Sequence, residues 1–265
     1  MKNRISIKCD EVKLLNSDEK IIVSLSDKFD IYDVTKINIF VKESTSIEFD
    51  FKCKCESKYD IAIELDDNVC VDLFINKDVK NIKVQYKYYI KSNCTLNINK
   101  FYECKCVREL DLVYLNGVNS KIYYDFKTLG LGKQKYDIMV YHNFKDTTSE
   151  IKNKGVSIGE GNITFNVTGI VYKGIKNCNL NQNNKIVNMN DAENIIKPVL
   201  IIDEQDVVAN HSAYIGKFDS DEIFYMTSRG INELDAIKLL LEGFLRTDNV
   251  DVAKKIDKYW RWYIE

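Results

Sequence analysis

Residues 197–245 read KPVLIIDEQDVVANHSAYIGKFDSDEIFYMTSRGINELDAIKLLLEGFL. The apolar run from Val199 to Ile202 is typical of a strand, and a group of acidic residues follows it. His211 then lies in a segment of small residues that ends at Gly216. After Asp219 the apolar residues recur at helical spacing, which predicts a change from strands to helices near this residue.

Before this stretch, apolar and polar residues alternate along much of the chain. The clearest example runs from Ile47 to Cys55, where charged residues separate Ile, Phe and Cys. Strict alternation is typical of strands with one buried face. The pattern recurs at 82–88, 94–98, 102–106 and 138–142. Since no helical segment separates these runs, the sequence predicts an all-β fold for the first two-thirds of the chain.

Alternation alone leaves three architectures open, namely a sandwich, a barrel and a β-helix. Tight turns are scarce, because Asn116–Asn119 and Gly130–Gly132 are the convincing ones before Gly155, and Pro198 is the single proline. A solenoid tolerates this scarcity because each turn packs on its neighbours, although no repeat period stands out. The turns are expected to use Asn, Asp, Gly and Ser.

The C-terminal region is predicted to hold three short helices. The residues placed to cap them are Ser220, Asn232 and either Asp248 or Asn249. Gly230 is placed to end the first helix. We therefore predict a β core over residues 1–218 and a small α-helical subdomain over residues 219–265.

Composition excludes several classes of function. The net charge of -2 gives no support for binding nucleic acid. No apolar run approaches the ~20 residues of a membrane helix, and the N-terminal residues have no apolar export segment. Eight cysteines without an export signal indicate reduced thiols, so a cytoplasmic protein is expected.

Two cysteine pairs, Cys53/Cys55 and Cys104/Cys106, have one residue between their members. Residues two apart in a strand share a face, so both thiols of a pair are expected to point the same way. Such pairs suit either the packed core or a zinc or iron–sulfur site. We favour the core because each pair extends an apolar face and lacks the usual Cys-x2-Cys spacing of structural zinc.

The sequence gives no sign of a catalytic centre. His142 and His211 are the only histidines, and neither has a Ser or Cys nucleophile in a recognisable motif. Gly130–Lys133 lacks the spacing of a phosphate-binding loop. Carboxylates on alternating strands usually form a solvated face. We therefore expect no catalytic residues and no enzymatic activity.

Residue order from Lys197 to Phe244 resembles the C-terminal part of the SufB/SufD family, the scaffold subunits of a sulfur-mobilisation system for iron–sulfur cluster assembly. The matching motifs are Lys197-Pro198-x-Leu200-x-Ile202, Asp206-Val207-x-x-x-His211-x-Ala213-x-x-Gly216 and Phe224-Tyr225-x-x-Ser228-Arg229-Gly230. The upstream residues that fit the family are His142, Thr148–Ser149, Lys154–Val156, Phe165–Gly169 and Asn181–Lys185. Because the chain starts almost directly in strands, it resembles a minimal-length member.

The resemblance implies a right-handed parallel β-helix whose last turn carries His211, with the C-terminal helices packed beyond that turn. It also implies two partners: a SufC-like ABC ATPase docked on the C-terminal helices, and a second SufB/SufD-type subunit in a homodimer or heterodimer. The residues expected to contact the ATPase are Phe224, Tyr225, Ser228, Arg229, Gly230, Leu241 and Phe244.

The resemblance further implies that His211 ligates a transient iron–sulfur cluster, with Cys178 or a partner's side chain as co-ligand. Ala209 replaces a Cys of several SufD-like relatives, and Ser212 replaces the Glu of SufB-like relatives. These departures favour a SufD-like subunit. A purely structural subunit that activates the ATPase without binding a cluster is an alternative, and a β-helix enzyme acting on polysaccharide is a remote one.

Overall fold

A computed structural model describes residues 3–8, 11–16, 18–26, 34–52, 56–189, 191–247 and 250–264. Within these residues the chain forms fifteen strands and then three helices. The strands are β1 (Asn3–Lys8), β2 (Glu11–Asn16), β3 (Ile21–Ser26), β4 (Thr35–Val41), β5 (Thr45–Phe51), β6 (Glu56–Leu65), β7 (Cys70–Ile90), β8 (Thr95–Leu115), β9 (Lys121–Gly130), β10 (Lys133–His142), β11 (Thr148–Ser157), β12 (Asn162–Val171), β13 (Cys178–Asn188), β14 (Ile195–Ile202) and β15 (Val207–Gly216). The helices are α1 (Ser220–Thr227), α2 (Glu233–Leu245) and α3 (Val252–Ile264).

The strands wind into a parallel β-solenoid of about 7 turns. Each turn contributes one strand to sheet 1 (β1, β5, β7, β8, β9, β11, β13 and β15) and one to sheet 2 (β4, β6, β7, β8, β10, β12 and β14). β7 and β8 are each 21 residues long, and their two halves belong to different sheets. The prediction of an all-β parallel β-helix with C-terminal helices is confirmed.

The alternating residues line the interior between the two sheets. Ile47, Phe49 and Phe51 are fully buried, as their spacing predicts. In sheet 2, Ile61 pairs with Tyr86 and Ile63 with Tyr88, and all four side chains lie inside. Each turn thus buries its apolar face on the next, which explains a stable fold with few hairpins.

Asparagines make the turns between sheet 2 and sheet 1, in line with the expectation that Asn, Asp, Gly and Ser form the turns. Asn68, Asn93 and Asn119 all have positive φ, a conformation that Asn tolerates better than most residues. Their amides form a ladder, in which Asn93 Nδ2 donates to Asn68 Oδ1 at 3.1 Å and Asn119 Nδ2 donates to Asn93 Oδ1 at 3.2 Å. Asp146 and Asn177 continue the arrangement on later turns.

The two ends of the solenoid differ. At the N-terminal end, β2 pairs with β1 and β3 with β4 in antiparallel fashion. At the C-terminal end, β14 pairs with β12 and β15 with β13, and neither has a second neighbouring strand among the residues that the structure describes. Val199, Ile201 and Val208 of this last turn are exposed. The C-terminal end therefore presents open strand edges with apolar side chains beside them.

The helices begin close to the predicted positions. Asp219, rather than the predicted Ser220, caps α1 by accepting a hydrogen bond from the Asp221 N–H at 2.9 Å. Asn232 caps α2 as predicted, and Gly230 before it has a φ of 88°. The caps predicted at Asp248 or Asn249 lie outside the described residues. The division into domains 1–218 and 219–265 stays a prediction.

The expectation that the helices pack beyond the last turn is wrong for α2 and α3. These helices lie along the flank of the solenoid, where they share a hydrophobic cluster with sheet 1. Its fully buried or nearly buried members are Phe101, Leu129, Val156, Val187, Leu241, Leu245, Val252 and Ile256. The apolar stripe of α2 is buried on the ends of several strands, and the last turn stays open. Among the described residues, no helix combines the length and the apolarity needed to cross a membrane.

Candidate functional site

His211 lies on the last turn of the solenoid, on the side that faces the interior. It pairs in register with Gln182 of β13, whose side chain is buried inside. Ala209, two residues earlier in β15, lies on the same inward face of the strand and packs against Leu180 and its neighbours. His211 is exposed because no further turn covers it. The imidazole is therefore accessible through the open end of the solenoid.

The interior beneath His211 contains buried amide side chains beside apolar ones. Gln182 Nε2 donates to the Val199 carbonyl at 3.3 Å, which links the two sheets. Asn153 Nδ2 donates to Asn184 Oδ1 at 2.6 Å, and Asn184 Nδ2 donates to the Ser212 carbonyl at 3.4 Å. The open end thus combines one accessible imidazole with buried amide groups.

Cys178, the predicted co-ligand, lies apart from His211. It pairs with Val207, four residues before His211 in β15, which corresponds to roughly 13 Å along a strand. Its buried thiol contacts Thr147 Oγ1 at 3.2 Å. The structure therefore does not bring Cys178 and His211 together. Within the part of the chain that the structure describes, no three His, Cys, Asp or Glu side chains are placed to hold a metal ion.

The other histidine has a structural environment. His142 is fully buried, and its ring nitrogens contact Thr147 Oγ1 at 2.7 Å and Ser149 Oγ at 2.9 Å. Burial lowers the pKa of its imidazole to about 3, so the ring is neutral at physiological pH.

The residues predicted to contact the ATPase fall into two groups. Phe224 and Tyr225 of α1 are 71% and 57% exposed, and the Arg229 guanidinium lies 4.4 Å from the centre of the Tyr225 ring. Ser228 Oγ donates to the Tyr225 carbonyl at 2.8 Å. Leu241, by contrast, is 1% exposed. Leu241 therefore belongs to the buried face of α2 and contributes to no exposed surface.

Phe244, the other α2 residue in that set, lies over a row of lysines that we call the covered lysine ladder. Its members, Lys127, Lys154 and Lys185, pair in register on β9, β11 and β13. Lys154 Nζ donates to the Phe244 carbonyl at 3.2 Å and lies 5.1 Å from the centre of its ring. Lys185 Nζ lies 4.8 Å from the Tyr214 ring and 5.6 Å from the Phe244 ring.

The covered lysine ladder places positive charge beside the C-terminal end of α2. The last turn of α2 has no basic residue, although cations stabilise the C-terminal end of a helix. Burial, followed by repulsion from Lys127, lowers the pKa of Lys154. The ladder therefore holds the C-terminal end of α2 against sheet 1.

The cysteine pair that the structure describes does not share a face. Cys104 is buried and Cys106 is exposed. The alternation changes phase between these two residues because β8 turns there from sheet 1 to sheet 2. The prediction for this pair is therefore wrong, and the pair Cys53/Cys55 lies outside the described residues.

Sequence reasoning also missed a cluster of charges inside the solenoid. Lys77, Lys100, Glu109 and Asp111 are all 2% exposed or less. Lys100 Nζ donates to Glu109 Oε1 at 2.7 Å and to Asp111 Oδ2 at 2.6 Å, and Lys77 donates to Glu109 Oε2. Hydroxyl donors complete the cluster, from Tyr102 to Glu109 and from Tyr124 to Asp111. The expectation that such carboxylates face solvent is wrong here.

The charges of this cluster balance, which makes its burial tolerable. Burial raises the pKa of Asp111 to about 6, with Lys100 opposing the rise and Glu109 adding to it. Burial also acts to raise the pKa of Glu109, but Lys100 and Lys77 outweigh it and hold that pKa below its usual range. The run Glu109-Leu110-Asp111-Leu112 alternates like a strand with its acids in solvent, but the structure places the acids of this part of β8 inside.

Comparisons with known proteins give consistent results. Residues 77–244 match a protein-family model described as SUF system FeS cluster assembly, SufBD core domain. The chain is 30% identical to the iron-sulfur cluster assembly protein SufD of Bacillus subtilis over 128 residues, which are 46% of this chain and 29% of that protein. It is 30% identical to SufD of Escherichia coli over 133 residues, 49% of this chain and 31% of that protein. An iron-sulfur cluster assembly SufBD family protein of Synechocystis is 32% identical over 108 residues, 40% of this chain and 22% of that protein. The aligned segments thus span less than a third of these relatives.

Proposed function

Since the chain belongs to the SufB/SufD family, we propose that it is a non-catalytic scaffold subunit in iron–sulfur cluster assembly. The cluster is the cargo of such a scaffold, built on it and passed on. The observation that carries this proposal is the open last turn of the solenoid, where His211 is exposed above the buried amide of Gln182.

A second scaffold subunit, either a copy of this chain or a related one, covers the open end in this proposal. β14 and β15 have free edges, and Val208 of β15 is 61% exposed. Strand edges bordered by apolar side chains are suited to pairing with another chain. Such pairing encloses His211 between two subunits and allows the partner to provide the thiolate that Ala209 does not.

The pairing is tested by size-exclusion chromatography with light scattering. We expect Val208→Lys to dissociate the purified pair, and Tyr123→Lys, an exposed position in the middle of sheet 1, to leave it intact. Equal behaviour of the two variants would exclude the last turn as the interface.

The ligand role of His211 is tested by anaerobic reconstitution with ferrous iron and sulfide, using the chain together with its partner subunit. We expect His211→Ala to lower severalfold the iron and sulfide retained after desalting. Asn210→Ala is the matched control, because Asn210 is the exposed neighbour on the opposite face of β15. Loss of the same size in both variants would argue against a ligand role.

The exposed face of α1 is proposed as the dock for a SufC-like ABC ATPase. Phe224 and Tyr225 are large, adjacent and mostly exposed, which is typical of residues that anchor an interface. Leu241 takes no part, because it is buried against the solenoid. We expect Phe224→Ala to weaken co-purification with the ATPase by about tenfold or more, and Phe144→Ala, an exposed turn residue, to have no effect.

The second candidate is a structural subunit that binds the ATPase without ligating a cluster. Ala209 and Ser212 favour it, since neither side chain offers the thiolate or carboxylate found in relatives. It predicts that His211→Ala leaves cluster assembly intact while Phe224→Ala abolishes it. The two variants therefore separate the two functions in a single assay.

A further inference from the structure

We propose that the outer face of sheet 2 is a docking surface for an acidic α-helix of a partner protein. The surface is centred on Lys58, Lys83, Arg108 and Lys135, which we call the open basic ladder. It lies on β6, β7, β8 and β10, several turns away from the open end and from His211. It is therefore distinct from both surfaces of the proposed function.

The four cations occupy one register position on four consecutive strands. Lys58 pairs with Lys83, Lys83 with Arg108, and Arg108 with Lys135. Neighbouring strands lie about 4.8 Å apart, so the ladder spans roughly 14 Å across the sheet. Lys83 and Arg108 are exposed, and Lys135 is half-buried.

Three members of the ladder, Lys83, Arg108 and Lys135, are only weakly neutralised by their surroundings. Lys83 pairs with Glu56 at 3.3 Å and Lys135 with Asp137 at 3.0 Å, and each pair is largely in contact with water. Pairs of this kind contribute little energy and exchange readily. The Arg108 side chain makes no ion pair or hydrogen bond with any residue that the structure describes. Like charges directly opposite one another destabilise a sheet, and an anionic partner would relieve that repulsion.

The ladder borders an open groove of about 540 Å³, whose walls include Val34 and Leu110. Three acidic residues line the same groove. The Glu109 carboxylate is buried in the interior, and those of Asp60 and Asp137 have partners of their own. Asp60 accepts from Lys87 Nζ at 2.9 Å, and Asp137 accepts from Asn166 Nδ2 at 2.6 Å. A surface that mixes cations, apolar groups and neutralised carboxylates suits a protein segment with acidic and apolar residues.

An α-helix is the occupant that the molecule itself indicates. On sheet 1, the covered lysine ladder lies beneath the C-terminal end of α2, where Lys154 and Lys185 contact Phe244. The pitch of a helix, about 5.4 Å, is close to the spacing of strands. Carboxylates one turn apart on a helix therefore meet successive cations, and a segment of roughly ten residues covers the ladder.

Nucleic acid fits this surface less well. Single strands are usually held by aromatic side chains on which bases stack, beside a row of cations. Three outward-facing tyrosines of these strands, Tyr89, Tyr114 and Tyr141, lie six residues beyond the ladder, about 20 Å away. They stack on one another with ring centres 5.2 and 5.1 Å apart. Both faces of the Tyr114 ring and one face of each outer ring are therefore already covered.

The test is fluorescence anisotropy with the full chain and one defined probe. The probe is a labelled helical peptide of about 14 residues with blocked ends, Glu one turn apart on one face and Leu beside them. We expect binding that weakens with added salt. Arg108→Glu should weaken it by about tenfold or more, equivalent to at least ~1.4 kcal/mol. Lys173→Glu, the same charge change at an exposed turn, should weaken it less than about twofold.

Two results would overturn the proposal. The first is absence of binding, or equal loss in Arg108→Glu and Lys173→Glu, which would mean that the ladder is solvated charge without a docking role. The second is tighter binding of an oligothymidylate of equal charge, with the same loss in Arg108→Glu, which would identify nucleic acid as the occupant. If the reversed charge in Arg108→Glu disturbs folding, Arg108→Gln replaces it as the test variant. It should also weaken binding of the peptide, by a smaller factor.

Discussion

Two rows of cations cross the outer faces of this solenoid, and they differ in what lies over them. In the covered lysine ladder of sheet 1, Lys154 donates to the last turn of α2 and lies against an aromatic ring. In the open basic ladder of sheet 2, the Arg108 side chain has no ion-pair or hydrogen-bond partner among the described residues. The same arrangement thus stabilises the fold where the chain provides a helix end, and elsewhere it offers a surface to another molecule.

Weakening the contact between α2 and sheet 1 should have the largest effect on the free energy of unfolding. Leu241→Ala deletes a side chain that is 1% exposed at the contact between α2 and sheet 1. We expect a loss of about 2–4 kcal/mol in the free energy of unfolding, because the change leaves a cavity. Urea denaturation and hydrogen exchange of α2 measure it. Leu239→Ala, in the same helix but 47% exposed, should cost less than about 0.5 kcal/mol, and a similar cost in both would contradict the packing described.

The attachment of α3 should depend on pH through Glu103. Its buried carboxylate pairs with Lys255 and Lys258 and accepts from the Tyr259 hydroxyl. Burial acts to raise the pKa of Glu103, but these three groups outweigh it and lower the pKa below its usual range. The stabilisation is therefore present above about pH 4.3 and is lost as the pH falls through the lower, folded-state pKa.

We expect Glu103→Gln to cost about 1–2 kcal/mol at neutral pH, because the hydrogen bonds to charged groups are weakened. It should also flatten the acid limb of the stability profile. Urea denaturation between neutral and acidic pH measures both. Glu160→Gln, at an exposed turn, is the control, and an unchanged acid limb in Glu103→Gln would show that other groups set it.

Neutralising a cation of the covered ladder should have a moderate effect. Lys154→Met keeps most of the aliphatic stem but removes the donor to the Phe244 carbonyl and the charge at the end of α2. We expect a loss of about 1 kcal/mol in the free energy of unfolding. Faster hydrogen exchange in the last turn of α2 should accompany it. An unchanged rate there would mean that Lys154 does not hold the helix end.

Replacing a cation of the open basic ladder by Met should have the smallest effect on the free energy of unfolding, and it should stabilise the protein. Arg108→Met relieves repulsion by Lys83 and Lys135 and breaks no side-chain ion pair or hydrogen bond with a described residue. We expect a change of less than about 0.5 kcal/mol, toward greater stability. The gain should shrink with added salt because the repulsion is screened. A clear loss of stability would show that Arg108 is structural, and the comparison between the ladders would fail.

The sequence predicted the parts of the fold that depend on local pattern. Alternation over Ile47–Phe51 identified strands with one buried face, and Asn232 identified the start of α2. The parallel winding required the family resemblance, because sandwiches and barrels share the alternation. The inward orientation of Glu109 and Asp111 was missed because the alternating apolar residues Leu110 and Leu112 indicate the opposite orientation. That inward orientation is set by where β8 turns between the sheets, which no local pattern records.

The two ladders and the placement of the candidate site depend on register. The members of the open ladder are 25, 25 and 27 residues apart, and this spacing is meaningful only when the turn lengths are known. His211 was found by its motif, but its separation from Cys178 follows from the pairing of β13 with β15. The burial of Leu241 depends on where α2 packs, and helical periodicity alone identifies a buried face without saying what covers it.

The contact of α3 with Glu103 has a consequence for the order in which the molecule forms. Neighbouring turns of the solenoid join residues about 25 positions apart, whereas Lys258 and Glu103 are 155 positions apart. Closing the longer loop costs more entropy, so the contacts of α3 with Glu103 are expected to form last. During synthesis the solenoid can wind turn by turn before α2 and α3 exist. At that stage both ladders are exposed to solvent, and the nascent chain carries two cationic surfaces until α2 packs over the lysine ladder of sheet 1.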